Sequence, residues 1–267
     1  MALPLPAQES TCLVTGASSG IGSDIARSLA ARGHGVTLVA RREDRLRALA
    51  EELVASHGVR VETVGCDLVD TESRTRMLAV LAKTGLRVEV LVNNAGFGSG
   101  GRFQALDPER EAEMVRLNCE VVVALCGRLV PDMVERGRGA VLNVASVAAF
   151  QPLPRQATYG ATKAFVLSFT DGLHADLAGS GVSATSLCPG PVQTEFVESS
   201  GLDESAEAVP SWMWTDAAFV AEQGVKGMEK GKRVVVPGRA NAATALGGQH
   251  APRGVLLKLA NRFYPVK

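Results

Sequence analysis

The sequence predicts a single α/β domain, doubly wound, with helices on both faces of a parallel sheet. Short β-branched runs alternate with longer helical patterns over most of the 267 residues, and no Pro/Gly/Ser-rich linker divides them. Clusters of small or polar residues fall just after the strand runs, where open parallel sheets bind ligands. The strands are TCLVT (11–15), GVTLVA (35–40), VRVETV (59–64), VEVLVN (88–93), AVLNVAS (140–146), VSATSLC (182–188) and KRVVVP (232–237). Several are apolar almost throughout, as a strand covered on both sides requires. Between them the pattern predicts helices over 20–34, 43–56, 71–84, 108–136, 157–179 and 215–229. Residues 1–10 read as a flexible leader, 11–237 as the body of the domain, and 238–267 as a tail packing on the body or on a partner subunit.

Composition narrows the function. Lys plus Arg equals Asp plus Glu at 28 each, so no net field favours nucleic acid or an anionic surface. No run of about eighteen apolar residues offers a membrane span. Five scattered cysteines without paired or His-rich spacing read as reduced, buried and cytoplasmic, with no metal site.

The first candidate site is VTGASSGIGSDIA, with Gly16, Gly20 and Gly22 between a strand and a helix. Glycines allow a tight turn and a close backbone approach to pyrophosphate, which the positive end of the helix also attracts. Ser18, Ser19 and Ile21 complete that loop. After the second strand, LVARRED presents Arg41 and Arg42 where an acidic residue usually meets free ribose hydroxyls. A guanidinium matches a 2′-phosphate, so the pattern favours NADP over NAD, against a plainer reading of solvated arginines opening a helix. Asp67 and Leu68 follow the third strand, with Asp67 placed to accept from an adenine amino group or to cap a helix. Asn94, Ala95 and Gly96 follow the fourth, on the adenosine ribose side or as a simple turn.

In TYGATKAF, Tyr159 and Lys163 stand one helical turn apart in a chain with only two tyrosines. On one helix face the ammonium would favour phenolate and make the phenol a better acid near neutral pH. An ordinary half-exposed helix face carries the same pair.

Taken together, TGASSGIG at 15–22, NNAG at 93–96, YGATK at 159–163 and PGPVQT at 189–194 resemble the short-chain dehydrogenase/reductase family, in its NADP-preferring branch. The resemblance runs from residue 11 to about 237. It implies a Rossmann-like domain with strand order 3-2-1-4-5-6-7, an NADP cofactor, and an Asn, Ser, Tyr and Lys catalytic set. On that basis Tyr159 is the proton donor to a substrate carbonyl. Lys163 lowers its pKa and holds the nicotinamide ribose, and Ser146 stabilises the carbonyl oxygen. Asn118 in RLNCE holds a water relaying protons to the lysine. Pro189, Gly190, Val192 and Thr194 close over the nicotinamide. Some NADP-preferring members carry a further base inside the glycine loop, where this chain has Ser18 and Ser19.

The implied reaction passes hydride between NADP(H) and a ketone or secondary alcohol. A silent NADP(H)-sensing protein, or an epimerase or dehydratase, are the alternatives. Phe196, Val197, Trp212, Met213 and Trp214, beside Glu195, Glu198 and Asp203, suggest an apolar pocket under an acidic loop. The expected partners are a small carbonyl or alcohol substrate and further copies of the chain, as homodimer or homotetramer. Neither nucleic acid nor a spanning membrane segment is expected.

Overall fold

The computed structural model describes residues 3–196, 200 and 210–263, with side chains to residue 258. Seven parallel strands form one sheet in the order β3-β2-β1-β4-β5-β6-β7, which is the predicted order. They are β1 (Ser10–Thr15), β2 (Val36–Ala40), β3 (Val61–Gly65), β4 (Arg87–Asn93), β5 (Gly139–Val144), β6 (Val182–Leu187) and β7 (Val234–Val235). Alternate strand residues serve opposite faces, because the side-chain period in a strand is two. From β1, Cys12 and Val14 meet α1 (Gly20–Ala30), α2 (Glu43–His57) and α7 (Ala217–Glu229) through Ile25, Leu46 and Val220. Leu13, between them, points to the face covered by α3 (Thr71–Lys83), α5 (Val121–Glu135) and α6 (Ala157–Asp176).

The chain winds from β1 outward to β3 and then returns to place β4 on the other side of β1, with Leu13 paired to Leu91 and to Thr37. That reversal opens a crevice beyond the carboxyl ends of β1 and β4.

Two elements depart from the sequence pattern. The helix predicted over 108–136 is interrupted: α4 (Pro108–Val115) and α5 are joined by a π turn, Arg116–Glu120. The last strand shrinks to two residues at the sheet edge, where Pro237 follows and where a short strand limits edge pairing. The tail forms α8 (Arg239–His250) and α9 (Arg253–Phe263). On α8, a Cβ at Gly248 would stand 3.1 Å from the Phe150 carbonyl oxygen, so the missing side chain sets how closely the tail packs. Ahead of β1, Leu3 is buried in the core and Arg138 donates to the Leu5 carbonyl. All five cysteines are buried and unpaired. Among the described residues no helix is long and apolar enough to cross a membrane.

Candidate active site

A cleft of roughly 1060 Å³ occupies the crevice, reaching from Arg41 and Asp67 at one end to Trp214 and Leu256 at the other. Its floor is the glycine loop. Gly16 and Gly20 take positive φ, +65° and +56°, which L side chains rarely adopt. Gly22 lies behind the loop: a Cβ there would come within 2.4 Å of Asn94 Nδ2 and of the Gly16 carbonyl oxygen. Asn94 braces this turn, donating from Nδ2 to the carbonyls of Thr15 (3.0 Å) and Gly16 (3.2 Å). Thr15 Oγ1 in turn accepts from the backbone N–H groups of Asn94 and Ala95 at 3.0 and 3.1 Å. Composition gave no signal for Thr15; its place as the last residue of a strand before glycine could have. Helix α1 opens without a side-chain cap or an acidic residue in its first turn. A glycine cradle under an uncapped helix N-terminus fits the pyrophosphate of a dinucleotide.

The reactive cluster joins β5 to α6. Residues four apart on α6 share a face, so the Lys163 Nζ lies 5.8 Å from the centre of the Tyr159 ring. It donates to the Val144 carbonyl at 2.8 Å, which fixes the lysine against the end of β5. Lys163 is 5% exposed, and burial brings its ammonium down to about 8. Ser146 accepts from the Ala148 N–H at 3.1 Å, donates to the Pro189 carbonyl at 3.4 Å, and hydrogen-bonds Tyr159. One expectation is corrected here. Burial pushes the Tyr159 phenol up to about 12, the Ser146 bond offsets this only in part, and Lys163 is not among the causes. The cation sits over the ring at a distance and spends its nearest contact on a carbonyl, so in this state desolvation of the phenolate dominates.

Asn118 sits in the π turn with its side chain fully engaged. Its Oδ1 accepts from Phe97 N–H at 3.2 Å, and its Nδ2 donates to the Phe97 carbonyl at 3.0 Å and Thr162 Oγ1 at 3.1 Å. The closeness of Gly96 permits this, since a Cβ there would be 2.9 Å from Asn118 Oδ1. π turns recur at functional sites because they push one residue out of the helical ladder.

The predicted nucleotide residues gather along the cleft. Ser18, Ser19, Ile21, Leu68, Ala95 and Gly190 line it, as do Pro189, Val192 and Thr194 opposite. Arg41 is exposed on the wall and pairs with no described residue. Arg42 donates to Ser18 Oγ, Ser19 Oγ and Glu195. Asp67 accepts from Val69 N–H at 3.1 Å, whereas the cap of α3 is Asp70, accepting from Glu72 N–H at 2.9 Å.

At the far end the lining is mostly apolar: Phe97, Leu153, Phe196, Trp212, Trp214 and Leu256. Phe196 packs on Tyr159 with ring centres 5.6 Å apart, and Arg110 lies 4.9 Å over Phe97. Val197, Glu198 and Asp203 fall outside the described residues. Sequence reasoning missed Leu153, Arg110 and the tail residues. Among the last, Asn241 is buried and donates to Met213 and Pro237 carbonyls, filling the space that a Gly190 side chain would take. Its signal was a single amide in the small-residue run RANAATALGG.

A nucleotide cradle beside a Ser, Tyr and Lys cluster defines an enzyme of the dehydrogenase class. The short chain dehydrogenase profile matches residues 10–205, and the chain belongs to that family of oxidoreductases acting on CH–OH groups. It is 40% identical over 186 residues to a sulfoacetaldehyde reductase of Chromohalobacter salexigens, covering 69% of this chain and 73% of that one. It is 38% identical over 203 residues to an NADP-dependent 3-hydroxy acid dehydrogenase of Salmonella typhi, covering 73% and 78%. Among solved structures, a short-chain dehydrogenase of Sphingobium yanoikuyae in complex with NADPH superposes with a TM-score of 0.80 at 33% identity, covering 93% of this chain and 95% of that one.

Proposed function

We propose that this protein passes hydride between NADP(H) and an apolar ketone or secondary alcohol, with Tyr159 as the general acid and base. The observation that carries the reading is one cleft with the Tyr159, Ser146 and Lys163 cluster in its middle and Arg41 and Arg42 at one end. Bound NADP(H) supplies or accepts the hydride. The residues do the rest. Gly16, Gly20 and the start of α1 hold pyrophosphate, Asp67, Leu68 and Asn94 to Gly96 flank the adenosine, and Pro189 to Thr194 cover the nicotinamide. NADP preference is supported by Arg41, which has no partner among the described residues to give up, and by the NADPH and NADP-dependent relatives.

In the reduction direction Tyr159 O–H donates its proton to the carbonyl oxygen while Ser146 O–H hydrogen-bonds the same atom. A phenol with pKa near 12 stays protonated at working pH, so it is always ready to donate. Its difficulty is the phenolate left behind, which burial disfavours and the Ser146 hydroxyl offsets in part, while Lys163, fixed against the end of β5, is left to hold the nicotinamide ribose. Asn118, holding the Phe97 backbone, orients the strand end beside Lys163 as a positioning residue.

The boundaries 1–10, 11–237 and 238–267 are retained as leader, body and tail, with the tail contributing to the substrate end. A cytoplasmic setting is supported by five unpaired cysteines. A homodimer or homotetramer is supported by Val115, Val123 and Phe165, which are 45, 40 and 42% exposed on α4, α5 and α6. The test is NADPH oxidation against a panel of ketones of graded size and charge. Rates confined to small anionic carbonyls would reject the apolar substrate class, and no turnover on any carbonyl would reject the activity.

A further inference from the structure

We propose that Glu195 is an internal occupant of the anion site that serves the 2′-phosphate, so that NADP(H) must displace this carboxylate and in doing so unbuckles the segment carrying it. The inference rests on the NADP(H) reading and adds a specificity role for a residue of the wrong charge to bind phosphate.

The site is built of donors. Arg42 donates to Ser18 Oγ at 2.9 Å and to Ser19 Oγ at 2.8 Å. Each hydroxyl accepts there and keeps its own proton, which neither passes to another described residue. Arg41 flanks the same wall. Two hydroxyl protons and the Arg41 guanidinium have no acceptor among the described residues, and beside Arg42 they make a site suited to an anion. The carboxylate of Glu195 takes that part, accepting from Arg42 Nη1 at 2.8 Å and from Arg45 Nη1 at 2.5 Å.

Glu195 arrives from the opposite wall of the cleft. It directly follows Thr194, whose methyl carbon lies 3.1 Å from where a Gly20 Cβ would be, so this segment crosses the glycine loop before it reaches Arg42. The two ion pairs therefore buckle the nicotinamide side of the cleft to the adenosine side. The guanidinium pair holds the carboxyl down at about 2, so the buckle carries full charge at any working pH.

It is also weak. The side chain of Glu195 is 47% exposed and those of Arg42 and Arg45 are each 43% exposed, and ion pairs in such positions are screened by water and salt. A phosphate brings more charge and three acceptor oxygens to Arg42, Ser18 and Ser19, and it wins the exchange. NADH carries nothing that competes for Arg42, so it leaves the buckle closed. Displacing Glu195 therefore subtracts from what contact with phosphate supplies, and only a ligand that carries the phosphate releases the strap.

The test uses two fragments, 2′,5′-ADP and 5′-ADP, with isothermal titration calorimetry on the full chain and its Glu195→Gln variant. In the parent, 2′,5′-ADP is expected to bind more tightly; equal binding would reject the NADP(H) reading itself. In Glu195→Gln, removal of the internal competitor is expected to tighten 2′,5′-ADP by about threefold to tenfold while 5′-ADP changes by less than about twofold. A parent that prefers 2′,5′-ADP alongside a variant whose preference is unchanged or reduced would overturn the Glu195 assignment and leave the cofactor reading intact. Glu195 lies at the surface, so the amide is expected to leave the thermal melt unchanged, and the melt is measured alongside.

Discussion

At the glycine-loop end of the cleft the walls are mainly backbone, whereas at the far end they are side chains drawn from separate stretches of chain. Gly16 and Gly20 bend the first wall, and Asn94 and Thr15 brace it through carbonyls and N–H groups. The second is assembled from Phe97, Leu153 and Trp214, which come from three connections, and from Leu256 on α9. Backbone walls have a narrow set of solutions, because few residues adopt positive φ or leave room for a phosphate. Side-chain walls have many, because any apolar group of suitable size fills the same space. One end is therefore suited to a constant ligand and the other to a variable one.

The junction of the two ends should show the largest effect. Tyr159→Phe is expected to lower turnover by at least about a hundredfold while leaving NADPH affinity nearly unchanged, read by kcat and by equilibrium binding. A fall in both would mean that the ring holds the cleft together instead of supplying a proton.

Arg41→Ala probes the phosphate end. With no described partner to lose, it should leave stability alone and cut the NADPH over NADH preference in kcat/KM by about tenfold to a hundredfold. An unchanged ratio would assign the phosphate to Arg42 and the serines alone.

Lysine chemistry gives a pH profile. Burial depresses Lys163 to about 8, so the unliganded enzyme loses the ammonium as pH rises through that value. For reduction, kcat/KM is expected to fall above pH ~8, because this ratio reports ionisations of the free enzyme. Lys163→Ala should remove that limb, lower activity and weaken cofactor binding. The stability effect has the opposite sense: between about 8 and 10.5 the unfolded lysine holds a proton that the native one has lost, so stability gains from this group as pH rises.

The smallest effect belongs to the side-chain end. Leu256→Ala should raise KM for bulky apolar ketones by about threefold to tenfold, with little change for small ones and none for NADPH. Equal shifts for all substrates would mean that the tail supports the fold and not the pocket.

The same contrast decides what could be read from the sequence. The alternation of strands and helices was legible because strand and helix periodicities differ, whereas the sheet order and the catalytic set came from the resemblance that TGASSGIG, NNAG, YGATK and PGPVQT carry jointly. The π turn at Arg116–Glu120 was not, since RLNCE carries no breaker and its apolar spacing reads as plain helix. Leu153, Arg110 and Leu256 were hidden because a cleft wall made of ordinary apolar or charged residues resembles any surface until the chain is folded. The raised Tyr159 phenol was missed because one-turn spacing gives proximity to a cation but says nothing of how deeply the ring is set. Arg42 was read as a phosphate ligand, yet its bond to Glu195 spans 153 positions of sequence and no local pattern announces it.

The π turn also acts as a phase shifter. An α-helix advances about 100° per residue, so one additional residue in a turn rotates everything beyond it by that amount. Ahead of the turn the inward stripe carries Glu111 and Met114; beyond it Val121, Val122 and Leu125 face the sheet. Were residue 118 deleted, straightening the ladder would swing α4 by about a quarter turn against α5. The loss would then reach beyond one amide, because a different stripe of α4 would be presented to α6 and the Phe97 segment would lose its seat. Insertions and deletions in this helix are thus read as angles, and a single residue is the unit of its timing.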